Sequence, residues 1–411
     1  MKEGLPQDPT MRQLVQMARS RMMSRRAALL GLGGSAAAVT LASCAPASES
    51  GLTPAEDLSD SEKVLVWHNW PLYMDGEDDG SYPTLNRFMG ETGITVEYLM
   101  EIDDNDTWYA KVKDQLALGA DPGFDVACPT SWLTDRMIGL GYLQTMDNAN
   151  MPNKVANLAP AYLGPANDPE RTLSVPYQGI LGGIAYDKAK YKEATGKDAP
   201  TSMADLWAPE LKGRVGLISE MRDTIGLVLL SQGIDISSDS SLTEDAFNAA
   251  VEFVKEQVAS GQIFNIKGNS YGEDLVNGNI IAATAWSGDV TILNYEVGED
   301  RFGFVVPDTG ATISADTFVV PMGSQHKKNV EQLINFYYDP VNAAELAAYV
   351  NYVTPVVGAK EEMLKLDAEL AENPLIFPSD EFLSNTHSFR ALTGQEEQRF
   401  ASAWQNVLLG A

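Results

Sequence analysis

A chain of 411 residues, 44% hydrophobic and 21% charged, is long enough to bury a full core and to divide into two. Its formal net charge of −28 is far from that of an average globular protein. A field of that sign repels phosphate backbones, which excludes a nucleic-acid partner; taken alone it reads as solubility or adaptation to salt, and it would also draw cations.

The first 43 residues read as an export signal. Ser24-Arg25-Arg26 precedes the uncharged stretch Ala27–Ser43, where Gly31, Gly33 and Gly34 dilute the apolar residues below what a membrane-spanning helix needs. Leu41-Ala42-Ser43-Cys44 matches a lipobox, whose cysteine takes the lipid and becomes the first residue of the mature chain. The arginine pair resembles a twin-arginine signal, with Ala28 and Leu30 where that motif usually has Phe and Lys, and Met22 or Met23 is an alternative start. Removing the leader takes six basic and two acidic residues and leaves 23 basic against 55 acidic. The mature protein is then expected outside the cytoplasmic membrane, held to it through lipid alone. With Cys44 lipidated, Cys128 has no partner for an internal disulfide. Residues 44–62, rich in Ser, Ala, Pro, Asp and Glu, read as a flexible tether.

The folded part opens on Val64-Leu65-Val66, an apolar run fit for a buried strand, which Pro71 stops. Trp70 and Tyr73 follow, three residues apart at that strand's carboxyl end, where ligands bind in open α/β sheets. The acidic loop Asp75–Pro83 reads as solvated. A helix is predicted near Thr84–Met89, stopped by Gly90 or Gly93, then a strand over Ile94–Met100. The next helix has Asp106 as its candidate N-cap and Gly119 beyond its end. Phe124–Cys128 reads as a strand, and Pro129-Thr130-Ser131-Trp132 turns into a helix, which completes a doubly wound start.

Farther on, a strand is predicted in the second half of Ser174–Asp187, then a short helix, a turn at Gly213 and another strand. A helix over Leu242–Ser260 has Phe247, Ala250, Val251, Val254 and Val258 on one face, a capping box of Ser241 with Glu244, and Gly261 as its stop. Ile280–Ala285, Phe302–Val306 and Thr317–Val320 read as strands, and three helices are predicted near 326–338, 342–350 and 395–409.

Several of these runs end in an aromatic ring or an acid: FDVACPTSW, IAATAWSGD and ISADTFVVP. Rings and carboxylates together suit an organic cation, because ring faces attract cations and a buried charge needs a partner.

With those residues placed, the chain resembles bacterial extracellular solute-binding proteins of the spermidine/putrescine type. The resemblance rests on NWPLY, ETGITVEY, NDTWYAKV, SVPY, TSMADLWAPELKG, LINFYYDP and YVTP, together with the three runs above, in the right order over roughly 64–410. It implies a two-lobed α/β periplasmic-binding-protein fold of type II, each lobe a mixed sheet flanked by helices. Crossing strands would form the hinge, with 63–173 plus 313–355 in one lobe and 174–312 plus 356–411 in the other. It implies a monomer that hands a polyamine to a separate ABC permease and ATPase. By the same resemblance, Trp70, Tyr73, Trp132, Trp286 and Tyr352 would supply rings. Thr130, Glu220, Asp223 and Asp316 would supply oxygens. Ser314 departs from the family, which often has a tryptophan two residues before that aspartate.

Other solutes fit the same residue types: a quaternary amine, or an amino-acid derivative. A secreted hydrolase with paired carboxylates is the competing class. Against it, Arg222 between Glu220 and Asp223 is expected to hold both acids down rather than raise one for acid catalysis. His68, His326 and His387 are scattered, and no Gly-x-x-x-x-Gly-Lys loop occurs, so no metal, cofactor or nucleotide chemistry is expected.

Overall fold

The computed structural model describes residues 51–77, 80–164 and 167–410. The leader and Cys44 lie outside the described residues, as do Asp78 and Asp79 of the acidic loop.

Strands β1 (Val64–Asn69), β2 (Thr95–Met100) and β3 (Val126–Ala127) form a parallel sheet ordered β2-β1-β3. Parallel neighbours need crossovers, and the helices Pro83–Thr92 and Asn105–Leu118 supply them. The first begins with proline, ends at Gly93 in the left-handed region, and is anchored by buried Asp75, whose carboxylate accepts from the Thr84 amide at 2.8 Å. Asp75 is therefore structural, although it belongs to a loop expected to be solvated.

The second sheet contains β4 (Val175–Asp187), β5 (Val215–Ile218), β6 (Ile263–Lys267), β7 (Ala282–Trp286), β8 (Phe302–Val305), β9 (Ala311–Phe318) and β10 (Thr386–His387). Its order is β10-β9-β4-β7-β5-β6, with β8 also paired to β4. All thirteen residues of β4 are buried, because antiparallel β7, β8 and β9 cover its length. Beyond β9 the chain leaves this sheet: Val319 bridges Ala127 and Pro321 bridges Leu143 of the first body. Two antiparallel strands, β4 and β9, thus join two α/β lobes.

Each lobe has its own apolar cluster. Trp67, Phe88, Trp108 and Phe124 belong to the first. Leu217, Val228, Phe247 and Trp404 belong to the second, where Phe247 stacks on Phe400 at 3.8 Å. Val356, Ala359, Met363 and Ile376 pack into the first cluster, and the chain rejoins the second at Phe389. The segment read as a tether touches the body from Leu52, whose side chain lies against Gly119, and is hydrogen-bonded to it from Ala55 onward. Ala55 and Leu58 donate to the Met322 and Gln325 carbonyls, and Ser59 is fully buried.

Several local readings are corrected. Asp104, not Asp106, caps its helix, accepting from Thr107 N at 2.9 Å, and Asp106 falls in the first turn. Thr243 caps Glu244–Ala259 through Ala246 N, while the Ser241 hydroxyl accepts from Asp235 N instead. β4 fills its whole predicted stretch, because β9 pairs its first half as β7 and β8 pair its second. β3 is only two residues long, since the Asp125 side chain and not a strand partner takes the Val66 amide.

Candidate functional site

The site lies between the lobes, at the carboxyl ends of β1, β3, β5 and β7 and against β9. After β1, Leu72 sits in the left-handed region at φ 58°, unusual for a branched residue, and the turn brings Tyr73 to the cleft beside Trp70. Asn351 does the same ahead of Tyr352, at φ 55°. The two tyrosine rings meet edge to face at 5.0 Å, and Trp70 meets Trp286 across the cleft at 6.0 Å. The Trp70 indole N–H donates to the Cys128 carbonyl at 2.8 Å, which fixes that ring.

Two helices deliver carboxylates by one device. β5 runs into Met221–Ser231, with Glu220 at the N-cap and Asp223 at its third residue. β7 runs into Ser287–Val297, with Trp286 at the N-cap and Asp289 at its third residue. First-turn acids are held by the helix's exposed amides. Asp223 accepts from Trp286 Nε1 at 2.9 Å and from Thr312 Oγ1 at 2.7 Å. Asp289 accepts from the Tyr352, Tyr271 and Asn269 side chains at 2.7, 2.9 and 3.1 Å. Glycines make the room: a Cβ on Gly182 would lie 2.2 Å from Thr312 Oγ1 and 3.0 Å from Asp223, and one on Gly288 would strike the Tyr352 ring.

Asp316, from β9, accepts from Thr130 Oγ1 at 2.7 Å. The buried Tyr73 hydroxyl, without a well-formed hydrogen bond, lies near the same carboxyl. Asn105 ties this end together, donating to Thr130 Oγ1 at 2.9 Å and to Glu220 at 3.0 Å.

Burial dominates the acidities. It pushes Asp316 up to about 7 and Asp289 to about 6, against the pull of their hydrogen bonds. It also raises Asp223. Glu220 goes well above the carboxylate range through burial and then through the charges of Asp104 and Asp223. The expectation that Arg222 would hold Glu220 and Asp223 down is therefore overturned. Its guanidinium turns to Glu397 at 2.5 Å and lies 4.2 Å over the Trp132 ring. Among the described residues, none of these four acids has a lysine or arginine within ion-pair distance.

Trp70, Tyr73, Thr130, Asp223, Trp286, Asp316 and Tyr352 line one small cavity of about 20 Å³, room for about one water. Trp132 and Glu220 are set apart from it. They line a second, larger cavity of about 780 Å³, which shares only Thr130, Asp223 and Ser314 with the first. Asn105, Asn269, Tyr271, Asp289 and Thr312 were not singled out from sequence. Asp289 had a readable signal, an acid three residues past an aromatic strand end, in the same helix position as Asp223.

The family model for bacterial extracellular solute-binding proteins matches residues 84–378. The chain is 27% identical over 351 residues to the spermidine/putrescine-binding periplasmic protein 1 of Haemophilus influenzae, covering 85% of this chain and 90% of that one. It is 26% identical over 365 residues to the putrescine-binding periplasmic protein PotF of Escherichia coli, covering 86% and 93%. The solved spermidine/putrescine ABC transporter substrate-binding protein PotD of Streptococcus pneumoniae superposes with a TM-score of 0.66 at 24% identity, over 85% of this chain and 99% of that one.

Proposed function

This chain belongs to the bacterial extracellular solute-binding proteins, and on that premise we propose that it captures a linear di- or polyamine between its lobes and delivers it to an ABC permease. The family and the curated relatives are binding components of transport systems, not enzymes. Two relatives carry spermidine or putrescine in their names. One observation carries the reading: Asp316 and Asp223 are buried among Trp70, Tyr73, Trp286 and Tyr352, with no lysine or arginine among the described residues within ion-pair distance of either.

An uncompensated buried carboxylate is costly, and an ammonium supplies both charge and donors. The methylene chain between two ammonium groups would lie against the ring faces, each worth about 0.5 to 2 kcal/mol with a nearby cation. Ordering the ligand and closing the lobes offset much of the gain. A micromolar dissociation constant, about −8 kcal/mol, is the expected net. The small cavity leaves no space for such a chain with the lobes as they stand, so the lobes part to load it and close over it.

Calorimetry with putrescine, spermidine, a sugar and a neutral amino acid tests the reading. The amines are expected to bind and the others not. No heat from any amine at millimolar concentration, with the sugar or the amino acid binding, overturns it.

The same reading places the protein outside the cytoplasmic membrane with Cys44 as its lipidated first residue. Mass spectrometry of the mature N-terminus is expected to find a diacylglyceryl cysteine. Replacing Arg25 and Arg26 by lysine is expected to stop export; undiminished export points to the general secretory route.

A further inference from the structure

Ser314 stands on the partition between the two cavities and lines both. Thr312, Ser314 and Asp316 are alternate residues of β9 and so face one side of the strand. Asp316 marks one end of this row, and Asp223, bonded to Thr312, marks the other. At a strand's rise the row is roughly 13 Å long. A small hydroxyl at its middle leaves the row open to the larger chamber.

The two cavities differ in chemistry. The acids of the small one are Asp223 and Asp316, and among the described residues no cationic side chain lines it. The large one has three: Arg171, Arg222 and Lys360. Arg222 is matched by Glu397. Arg171 donates to the Tyr162 carbonyl and Ser174 Oγ, both at 3.0 Å, and feels the charges of Asp168 and Asp135 without a direct bond to either. Lys360 pairs with Glu372 at 3.5 Å in a half-open setting. The Trp132 indole N–H is buried without an acceptor. The chamber's acids are Asp223, which it shares with the small cavity, and Glu220, tied to Thr130 through Asn105. A third ammonium in this chamber would face like charges, whereas a carboxylate would meet donors with capacity to spare.

We propose that the ligand is a diamine bearing a carboxylate-tipped arm, with its nitrogens along the Asp223–Asp316 row and the arm passing Ser314 toward Arg171, Lys360 and Trp132. This rests on the amine reading of the small cavity. The protein's overall negative charge works against an anionic arm, so any preference for one reports the chamber itself.

The experiment compares putrescine, spermidine, N-(2-carboxyethyl)putrescine and N-(4-carboxybutyl)putrescine by calorimetry on the mature protein. The first carboxyalkyl compound matches spermidine in length but ends in the opposite charge. At least one carboxyalkyl compound is expected to bind about tenfold tighter than spermidine. Lys360→Glu, at a half-exposed side chain, is expected to weaken the carboxyalkyl compounds, strengthen spermidine and leave putrescine unchanged. Opposite signs on two ligands cannot come from misfolding. Spermidine binding as tightly as both carboxyalkyl compounds, or a Lys360→Glu protein with the same order of preference as the parent, overturns the proposal and leaves the amine reading standing. If none of the four binds, both fail together.

Discussion

Two groups of buried acids in this protein contrast with each other. On the periphery of the second lobe, Asp187 meets Arg301 Nε at 2.8 Å and caps the helix at Lys190. Asp274 meets Lys267 at 2.5 Å and accepts from Asn265 and Asn279. Burial would raise Asp274, but those partners outweigh it and its acidity increases. In the cleft, Asp316, Asp289, Asp223 and Glu220 are as deeply buried, have donors but, among the described residues, no lysine or arginine within ion-pair distance, and are all weakened as acids. At Asp187 and Asp274 the chain itself supplies the opposite charge. In the cleft, on the reading proposed above, a bound ligand would supply it.

That contrast can be broken by mutation. Asp187→Asn leaves Arg301 unmatched and is expected to cost about 3 to 5 kcal/mol of unfolding free energy while amine affinity stays the same. Asp316→Asn should do the reverse. It is expected to cost about 2 to 5 kcal/mol of amine binding and to leave denaturant stability equal or higher, because no protein cation loses a partner. A large loss of stability from Asp316→Asn would place it among the structural acids. Trp286→Ala is expected to weaken binding by about 1 to 2 kcal/mol, and Trp286→Phe by less, because phenylalanine keeps a ring face; equal losses would assign the indole's effect to its bond with Asp223.

The smallest effect is protonic. Asp316, raised to about 7, is partly protonated at neutral pH, and an arriving ammonium requires it ionised. Roughly half a proton should be released per ligand at pH 7, read from calorimetry in buffers of different ionisation heat. Zero release would mean the carboxylate is already ionised. The stability signs follow. The raised cleft acids bind protons more tightly folded than unfolded, so their contribution weakens as pH rises from about 4 through about 7. Asp274, depressed, contributes stability above its unfolded pKa and loses it as pH falls. Stabilisation by an amine should therefore be larger at pH 8 than at pH 5.

Much of this was readable before any coordinates. The helix at 83–92, the apolar face around Phe247 and the strand ends carrying Trp70 and Trp286 follow from local pattern alone. The site was legible where an aromatic or an acid closes a strand. It was not legible where position comes from a distant segment. Asn105 matters only because Thr130 and Glu220, 25 and 115 residues away, converge on it. Arg222 sits beside two acids in sequence, yet its helix turns it toward Glu397, 175 residues on. Which charge an arginine answers is a property of packing, not of adjacency.

The docking of residues 55–62 onto the first lobe bears on where the protein can work. The segment is stitched down by Ala55 and Leu58, and by Lys328 with Asp60 at 2.7 Å. With a lipid at Cys44, the seven residues 45–51 would separate the bilayer from Leu52, whose side chain lies against Gly119, a leash of at most about 25 Å when fully drawn out. The body would ride within about its own width of the membrane, where a transporter's mouth lies. Because residues 55–62 dock on one lobe, a lipid at Cys44 would moor that lobe and leave the second free to swing.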